Sequence, residues 1–245
     1  MRLRRTVLPA AVAVLALSGC ESPNFGAPDA ASEQGRRALS LWQGVFIAGL
    51  VVAGIVVGLI VFTLVRYRRR SDDIPSQGAH NLPLEVVYTG IPILIVIGLF
   101  VVNVLAENHV TALADEPDVR IEVVGFQWQW QFRYPDEDVV ITGAPGQPSP
   151  ELVLPVDRTA QLELVADDVI HSFWVPDFLT KRDLIPGVDN TIDITPERIG
   201  TFQGLCAEYC GLDHWRMRFT VQVVSAGEFE DWLADQRAAQ LEIDL

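Results

Sequence analysis

The 245-residue sequence predicts a two-helix transmembrane hairpin followed by an all-β Greek-key barrel or sandwich with a short C-terminal helix. Three observations lead to this fold class. Two long apolar stretches lie in the first half of the chain, short segments of alternating apolar and polar residues fill the second half, and a helix-capping pattern follows the last of these segments. The sequence contains no internal repeat, phosphate-binding loop or hydrolase motif.

The N-terminal residues 1–19 are typical of a secretory signal peptide. Arginines form a charged start, and the apolar run that follows is too short to span a bilayer. The run ends in Leu17-Ser-Gly-Cys20, which resembles the lipobox of bacterial lipoproteins, so Cys20 is the expected lipid anchor. An ordinary signal peptide with a chance cysteine is the alternative. Residues 20–40 are rich in Ser, Ala, Pro, Gly and charge and are predicted to form a flexible, lipidated tether.

The transmembrane hairpin is predicted over residues 41–106. Its apolar stretches, 41–65 and 84–106, are each long enough to cross a bilayer as a helix. The loop 66–83 begins with a strongly basic run, so the positive-inside rule places it in the cytoplasm and both outer helix ends on the other side. Residues 107–245 are therefore expected outside the cytoplasm, attached to the bacterial plasma membrane.

The charge is unevenly divided along the chain. Residues 107–245 hold 26 acidic and 9 basic side chains, a net of −17, whereas residues 1–106 hold 6 acidic and 9 basic, a net of +3; the sum is −14. An acidic exported domain repels nucleic acid and anionic lipid, and it attracts a cationic partner. Acidity also aids solubility, which accounts for part of this bias.

The exported region has the alternation expected of short strands separated by turns. Strand candidates are residues 119–124, 126–134, 161–165, 190–194 and 218–224. A proline-rich segment at 144–150 is predicted to be a loop. Ser225 and Glu228 form a capping box that opens a short helix through Leu233.

The residues most informative about chemistry are two cysteines, a histidine and a methionine within twelve residues, namely Cys206, Cys210, His214 and Met217. Soft sulfur and imidazole ligands at such close spacing favour copper. Two thiolates four residues apart can bridge two coppers, and each copper then needs one imidazole. His214 supplies one, and His171 is the natural second ligand. The other two histidines, His80 and His109, are expected in the cytoplasmic loop and at the membrane boundary.

Other interpretations of the cysteine pair stay open. Outside the cytoplasm, Cys206 and Cys210 can form a disulfide in a structural lipoprotein, and with a histidine they are half a zinc site. A copper chaperone with a thioredoxin-like fold carries cysteines at this spacing, although such a fold needs βαβ units and the flanking segments look all-β. A mononuclear blue-copper carrier needs one cysteine, so the second thiolate argues against it.

With these residues the chain resembles subunit II of haem-copper cytochrome c oxidases over nearly all of its mature length. The resemblance implies a cupredoxin-like domain that holds the binuclear copper centre called CuA. The implied copper ligands are Cys206 and Cys210 as bridges, His171 and His214 as terminal ligands, and Met217 and the Glu208 carbonyl as weak ligands. Nitrous oxide reductase has a CuA domain without this hairpin, and quinol oxidase subunit II has lost the copper ligands.

The resemblance also implies a function and further site residues. Subunit II accepts electrons from cytochrome c and relays them to subunit I, which reduces oxygen, pumps protons and alone holds the haems. Trp128 is the expected point where the electron arrives, and Asp167 and Asp168 are expected on the docking surface for cytochrome c. Glu85 matches a glutamate at the cytoplasmic mouth of a proton channel. The Glu208 side chain matches a ligand of Mg²⁺ or Mn²⁺ shared with subunit I.

Three points around these assignments stay open. Trp128 shares one strand face with Trp130 by alternation, so a position in the core is the alternative. Gln129 stands where the family often has tyrosine, which puts any role of that ring in doubt. Because the sequence contains no Cys-x-x-Cys-His, the electron donor is expected to be a separate cytochrome: soluble, membrane-anchored or part of a neighbouring complex.

Overall fold

The computed structural model of the protein describes residues 24–74, 78, 80–144 and 146–243. The predicted signal peptide and Cys20 lie outside the described residues. The chain forms two compact units, one built mainly from Ser40–Ala106 and the other from Pro28–Leu39 together with Glu107–Leu245.

Two long helices contain the predicted apolar stretches: α1 (Glu33–Arg66) and α2 (Leu82–Val110). Both are long and apolar enough to cross a membrane, and their most apolar windows are 0% buried within the chain. Helices that turn apolar side chains outward all around need lipid or other apolar partners on those faces.

Helix α1 starts at Glu33, inside the segment predicted to be a flexible tether. The hydroxyl of Ser32 accepts a hydrogen bond from the Gly35 N–H at 3.1 Å, which caps the first turn. The preceding chain is also fixed to the β domain, because the Ala31 N–H donates to the Asp177 carbonyl at 2.8 Å. The composition of this segment therefore did not reveal the contacts that order residues 31–40.

The β domain consists of ten strands. They are β1 (Val119–Phe126), β2 (Gln129–Tyr134), β3 (Val139–Thr142), β4 (Glu151–Pro155), β5 (Ala160–Ala166), β6 (His171–Val175), β7 (Thr180–Leu184), β8 (Asn190–Ile194), β9 (Gly200–Cys206) and β10 (Arg218–Val224). One five-stranded sheet has the order β3-β2-β1-β5-β8, and the other has the order β4-β10-β9-β6-β7. The pairs β1–β5 and β4–β10 are parallel, and the other pairs are antiparallel. This two-sheet sandwich confirms the predicted fold class.

The core lies between the two sheets and is rich in aromatic rings. Trp130 is fully buried, and its ring centroid lies 5.1 Å from that of Phe219, which stacks on Phe173 at 4.9 Å. The buried Tyr134 hydroxyl donates to the Val153 carbonyl and accepts from the Val153 N–H, both at 2.9 Å. One phenol thus joins β2 of the first sheet to β4 at the edge of the second.

The C-terminal helix α3 spans Ala226–Ile243 and is longer than the short helix predicted. Its capping box is present: the Ser225 N–H donates to the Glu228 carboxylate at 2.9 Å, and the Glu228 N–H donates to the Ser225 hydroxyl at 3.3 Å. Phe229 and Leu233 are buried, so the helix covers one edge of the core.

The segment predicted as one strand over 126–134 is instead part of a hairpin. Strands β1 and β2 pair antiparallel with Phe126 opposite Gln129, and Gln127 and Trp128 form the two-residue turn between them. Aromatics recur at every second position from Phe126 to Tyr134, so the sequence pattern runs through the turn, but the pairing puts Phe126 on the same face as Gln129 and on the opposite face from Trp130. The residue Trp128 therefore leaves the strand and lies at the end of the sheet.

Candidate metal centre

The predicted copper ligands lie where three strands of the second sheet end. His171 is the first residue of β6, Cys206 is the last residue of β9, and Met217 directly precedes β10. Cys210 and His214 lie on the loop between β9 and β10, where His214 begins a short 3-10 turn. Antiparallel pairing of β6 with β9 sets Phe173 opposite Cys206, which brings the start of β6 beside the end of β9.

The side chains form a continuous chain of close contacts. The two sulfurs of Cys206 and Cys210 are 3.9 Å apart. The Nδ1 atom of His171 lies 3.8 Å from Cys206 Sγ, and the Nδ1 atom of His214 lies 3.5 Å from Cys210 Sγ. Met217 Sδ is 3.7 Å from Cys210 Sγ, and the Glu208 carbonyl oxygen is 3.2 Å from Cys206 Sγ. Each thiol therefore has its own imidazole.

The donor set fits a soft metal ion. The ligand atoms of His171, Cys206 and Cys210 lie within 4.8 Å of one another, and all three residues are buried. Both cysteines are free, and their sulfur separation of 3.9 Å exceeds the roughly 2.05 Å of a disulfide bond. Thiolates, imidazole nitrogens and a thioether are the donors that copper takes in electron-transfer sites.

Asp168 orients the His171 ring from behind. Its carboxylate lies 2.8 Å from His171 Nε2 and accepts hydrogen bonds from the N–H groups of Gln127 at 2.7 Å and Val169 at 2.6 Å. A carboxylate at Nε2 keeps the ring proton on that nitrogen, so Nδ1 presents its lone pair to the sulfurs. Partial burial of Asp168 opposes ionisation, but the hydrogen bonds from His171 and the two amides outweigh it and lower the pKa of this carboxyl.

The pKa values of the two thiols are shifted in opposite directions. Burial would raise the pKa of Cys206, but hydrogen bonds with His171 and with nearby backbone lower it to about 7. Burial and the neighbouring Cys206 charge raise the pKa of Cys210 to about 12. Burial would lower the pKa of His171, but its contacts with Cys206 and Asp168 raise it. Without a metal, the site therefore disfavours two thiolates side by side. A bound cation would stabilise both in the ionised form.

Trp128 and Gln127 contact the same backbone group of the ligand loop. The Trp128 indole N–H donates to the Cys210 carbonyl at 3.1 Å, and the Gln127 amide donates to it at 2.8 Å. Gly211 follows with φ of +119°, and a Cβ there would lie 3.2 Å from the Trp128 ring. Trp128 is half-buried, whereas Trp130 is fully buried in the core, so the two tryptophans have different environments.

The remaining predicted site residues are Asp167, the Glu208 side chain, Glu85 and Cys20. Asp167 is exposed beside Asp168, and the Glu208 side chain is half-buried and accepts a hydrogen bond from the Tyr209 N–H at 3.3 Å. Glu85, in the first turn of α2, accepts a hydrogen bond from the Asn81 N–H at 3.1 Å and so caps that helix. Cys20 lies outside the described residues.

Sequence reasoning missed two residues of the site, Gln127 and Gly211. No local pattern marks Gln127, because its partner is the Cys210 carbonyl 83 positions away. Gly211 does carry a signal, since a glycine directly after a ligand cysteine is typical of a tight turn against a neighbouring side chain.

The fold and the site define a class of protein: a membrane-anchored β-sandwich domain with a buried set of soft ligands for copper. Two family models match the chain, "Cytochrome C oxidase subunit II, periplasmic domain" over residues 148–224 and "Cytochrome C oxidase subunit II, transmembrane domain" over residues 20–104. The chain belongs to the cytochrome c oxidase subunit II family.

Two curated relatives match most of the chain, and a solved structure matches about half of it. The probable cytochrome c oxidase subunit 2 of Streptomyces avermitilis is 38% identical over 278 residues, covering 95% of this chain and 87% of the relative. Cytochrome c oxidase subunit 2 of Mycobacterium tuberculosis is 31% identical over 295 residues, covering 94% and 81%. The crystal structure of the periplasmic domain of subunit II of cytochrome oxidase from Bradyrhizobium japonicum is 31% identical, with a TM-score of 0.47, and covers 52% of this chain and 99% of that one.

Membership in the family confirms the predicted function at the level of the complex. The chain is subunit II of a cytochrome c oxidase, an oxidoreductase, and its exported cupredoxin-like domain is the copper-binding, electron-relaying part. Its two apolar helices are the transmembrane domain of the family, and the copper domain lies on the extracytoplasmic side.

Proposed function

We propose that this chain accepts electrons from a cytochrome c at a binuclear copper A centre and passes them to the haem-copper subunit I. The observation that carries the proposal is the order of contacts from His171 through Cys206 and Cys210 to His214. Two thiols that each face a separate imidazole suit two metal ions bridged by sulfur. A single copper needs only one of these thiols.

Each proposed ligand has a separate role in binding the two coppers. Cys206 and Cys210 would be shared by both ions, and His171 and His214 would each hold one. Met217 and the Glu208 carbonyl would be the weak ligands of the centre. When bound, the centre supplies one-electron transfer with its charge spread over two coppers and two sulfurs. The chain's own contribution is rigidity, because strand ends and hydrogen bonds hold the donor atoms in place before the metal binds.

Trp128 is proposed as the point where the electron arrives. Its indole reaches from the half-exposed end of the sheet to the carbonyl of the ligand Cys210, a single hydrogen bond of 3.1 Å. The Gln127 side-chain amide donates a second hydrogen bond to the same carbonyl. A short, rigid path from the protein surface to a ligand of the metal favours electron transfer from a docked donor.

Asp167 and Asp168 are proposed to attract the cationic face of cytochrome c. Asp167 is exposed, so its charge is available to a partner. The Asp168 carboxylate already accepts hydrogen bonds from two backbone amides and faces the His171 ring, so we assign it a second role as a positioning residue for that ligand. Charges at the rim of such a contact alter the association rate more than the bound state.

The Glu208 side chain is proposed to bind Mg²⁺ or Mn²⁺ at the interface with subunit I. A hard cation takes carboxylate oxygen while the soft coppers take sulfur, so one residue serves both through different atoms. In the described part of the chain no lysine, arginine or histidine nitrogen lies within 4.0 Å of this carboxylate, which leaves it available for a cation. The haems are proposed to lie in the partner subunit only.

The membrane part carries two further proposals. Cys20, after a signal peptide over 1–19, is proposed to be lipidated and to anchor the mature N-terminus, on the strength of its lipobox. Glu85 is proposed to lie at the cytoplasmic mouth of a proton channel, since a carboxylate at the start of a membrane helix is a functional candidate. Both follow the topology that the basic loop after α1 predicts.

The test is copper content and electron paramagnetic resonance of the full-length chain in detergent, reconstituted with copper. We expect two coppers per chain and hyperfine structure from one electron shared over both nuclei. Cys206→Ser is expected to abolish that signal, and Tyr209→Phe, a change at a 76% exposed side chain on the same loop, is expected to leave it intact. One copper with a single-nucleus signal, or a metal-free chain with both cysteines in a disulfide, would contradict the proposal.

A further inference from the structure

A polar cleft lies beside Trp128, and Asp168 is not among the residues that line it. Its volume is about 590 Å³, and it is lined mainly by Gln127, Trp128, Gln129, Asp213, Arg216 and Arg218. Two arginines against one aspartate make this cleft cationic, although residues 107–245 carry a net charge of −17.

Arg218 differs from the other basic side chains of this domain in its distance from carboxylates. Among the described residues of 107–245, seven of the nine basic side chains lie within 4.0 Å of a carboxylate: Arg120, Arg133, Arg158, Lys181, Arg198, Arg216 and Arg237. The eighth, Arg182, adds its charge to the Ser172 hydrogen bond in lowering the pKa of Asp183. Arg218 is exposed and has no carboxylate within that distance in this part of the chain. In a domain with almost three acidic residues for each basic one, an arginine left without a carboxylate is available to an external one.

The second arginine of the cleft is already held in place. Arg216 lies 3.8 Å from Asp213, and its guanidinium lies over the Trp215 ring at 5.2 Å from the centroid. Asp213 therefore neutralises Arg216 in part and leaves the charge of Arg218 uncompensated. The Asp168 carboxylate is occupied by two amides and His171.

We propose that the cleft beside Trp128 binds an acidic side chain of the electron donor, with Arg218 as its main contact. This inference rests on the proposed arrival of electrons at Trp128. The docking surface is then of mixed charge: Asp167 faces a cationic group of the donor, and Arg218 faces an Asp or Glu side chain near the donor's haem edge. Two opposite charges on the docking surface orient the donor as well as attract it.

The charge of the cleft can be measured with two small one-electron oxidants on the reduced, assembled oxidase under anaerobic conditions. Ferricyanide carries a charge of minus three, and tris(phenanthroline)cobalt(III) carries plus three. At an ionic strength of about 0.01 M, Coulomb's law for a site about 10 Å from the reagent predicts that Arg218→Gln slows copper oxidation by ferricyanide about fivefold and speeds oxidation by the cobalt complex about fivefold.

Arg158→Gln is the matched control, because it removes the same charge from a half-exposed arginine at the far end of β5 from Asp168. It is expected to change either rate by less than about twofold. Equal effects of Arg218→Gln on both oxidants, or effects no larger than those of the control, would overturn the inference. Trp128→Phe tests the underlying proposal separately: rates with both oxidants and with the membrane's own cytochromes that match the wild type would remove Trp128 from the electron path.

The partner is tested by cross-linking in native membranes. Arg218→Lys places an amine in the cleft, and a water-soluble carbodiimide joins it to a neighbouring carboxylate as an amide, with the carbodiimide taking up the water as a urea. We expect a cross-linked peptide from a cytochrome, with Asp or Glu at the junction, and none from Arg158→Lys. A cross-link only to other oxidase subunits, or none at all, would refute an acidic contact on the donor.

Discussion

If Asp168 positions the His171 ring, then Asp168→Asn should weaken copper binding. In Asp168→Asn, one carboxylate oxygen becomes an NH₂ group, and the side chain loses its charge. If that group replaces Oδ1, it faces the N–H donors of His171 and Val169; if it replaces Oδ2, it faces the Gln127 N–H. Either orientation sets two donors against each other, so at least one of three short hydrogen bonds is lost.

The magnitude follows from these contacts. A hydrogen bond to a charged group contributes about 1.5–3 kcal/mol, and changes to the partner of a metal-binding imidazole typically cost about 10–100-fold in metal affinity. We therefore expect Asp168→Asn to weaken copper binding by about tenfold or more and to broaden the hyperfine pattern, because the His171 ring is no longer held in one orientation. The assay is copper competition against a chelator, together with electron paramagnetic resonance.

Asp167→Asn is the matched control for this experiment. It removes the same charge from the adjacent exposed position, so both variants alter docking electrostatics alike. If the copper affinity and spectrum of Asp168→Asn equal those of Asp167→Asn, then Asp168 acts only through its surface charge and the positioning argument is refuted.

Three further predictions concern stability, the ligand loop and the proton path. Tyr134→Phe leaves the buried N–H and carbonyl of Val153 without their 2.9 Å partner, so we expect a loss of about 2–4 kcal/mol in stability, measured as a lower temperature for loss of the copper signal; an unchanged temperature would contradict it. Gly211→Ala introduces a side chain at φ +119° against Trp128, so we expect about 1–3 kcal/mol of strain and reduced copper content, checked by metal analysis, and full copper occupancy would refute it. Glu85→Ala is expected to slow oxygen turnover with the copper spectrum intact; Glu85→Gln, which keeps the hydrogen bond that caps α2, is expected to be equally slow, and normal turnover of Glu85→Gln would assign Glu85 to capping alone.

The membrane hairpin and the cluster of Cys206, Cys210, His214 and Met217 were predictable because each is a local pattern. An uncharged apolar stretch needs lipid wherever the rest of the chain lies, and α1 and α2 contain both predicted stretches. Soft ligands within twelve residues limit the chemistry to a few metals before any fold is known. The capping box at Ser225 and Glu228 is likewise complete within four residues.

Contacts between distant parts of the chain were decided only by the tertiary structure. The Trp128 indole donates a hydrogen bond to the Cys210 carbonyl, which is 82 residues away in the sequence. The Tyr134 hydroxyl bonds to the Val153 backbone, although the two strands that carry these residues are not paired. Strands such as β9, which ends in Cys206, were not predicted, since pairing with β6 and β10 stabilises them more than their own alternation does.

The sequence by itself determined that this protein crosses a membrane, carries an exported β domain and has a cluster of ligands suited to a soft metal. Hydrophobicity, charge bias and ligand softness are properties of the residues themselves and need no partner to be recognised. The tertiary structure decided which imidazole faces which thiol, that Asp168 holds His171, and that Trp128 leaves the core for the ligand loop. Each of these depends on strand register and turn position, which only the packing of the two sheets against each other sets.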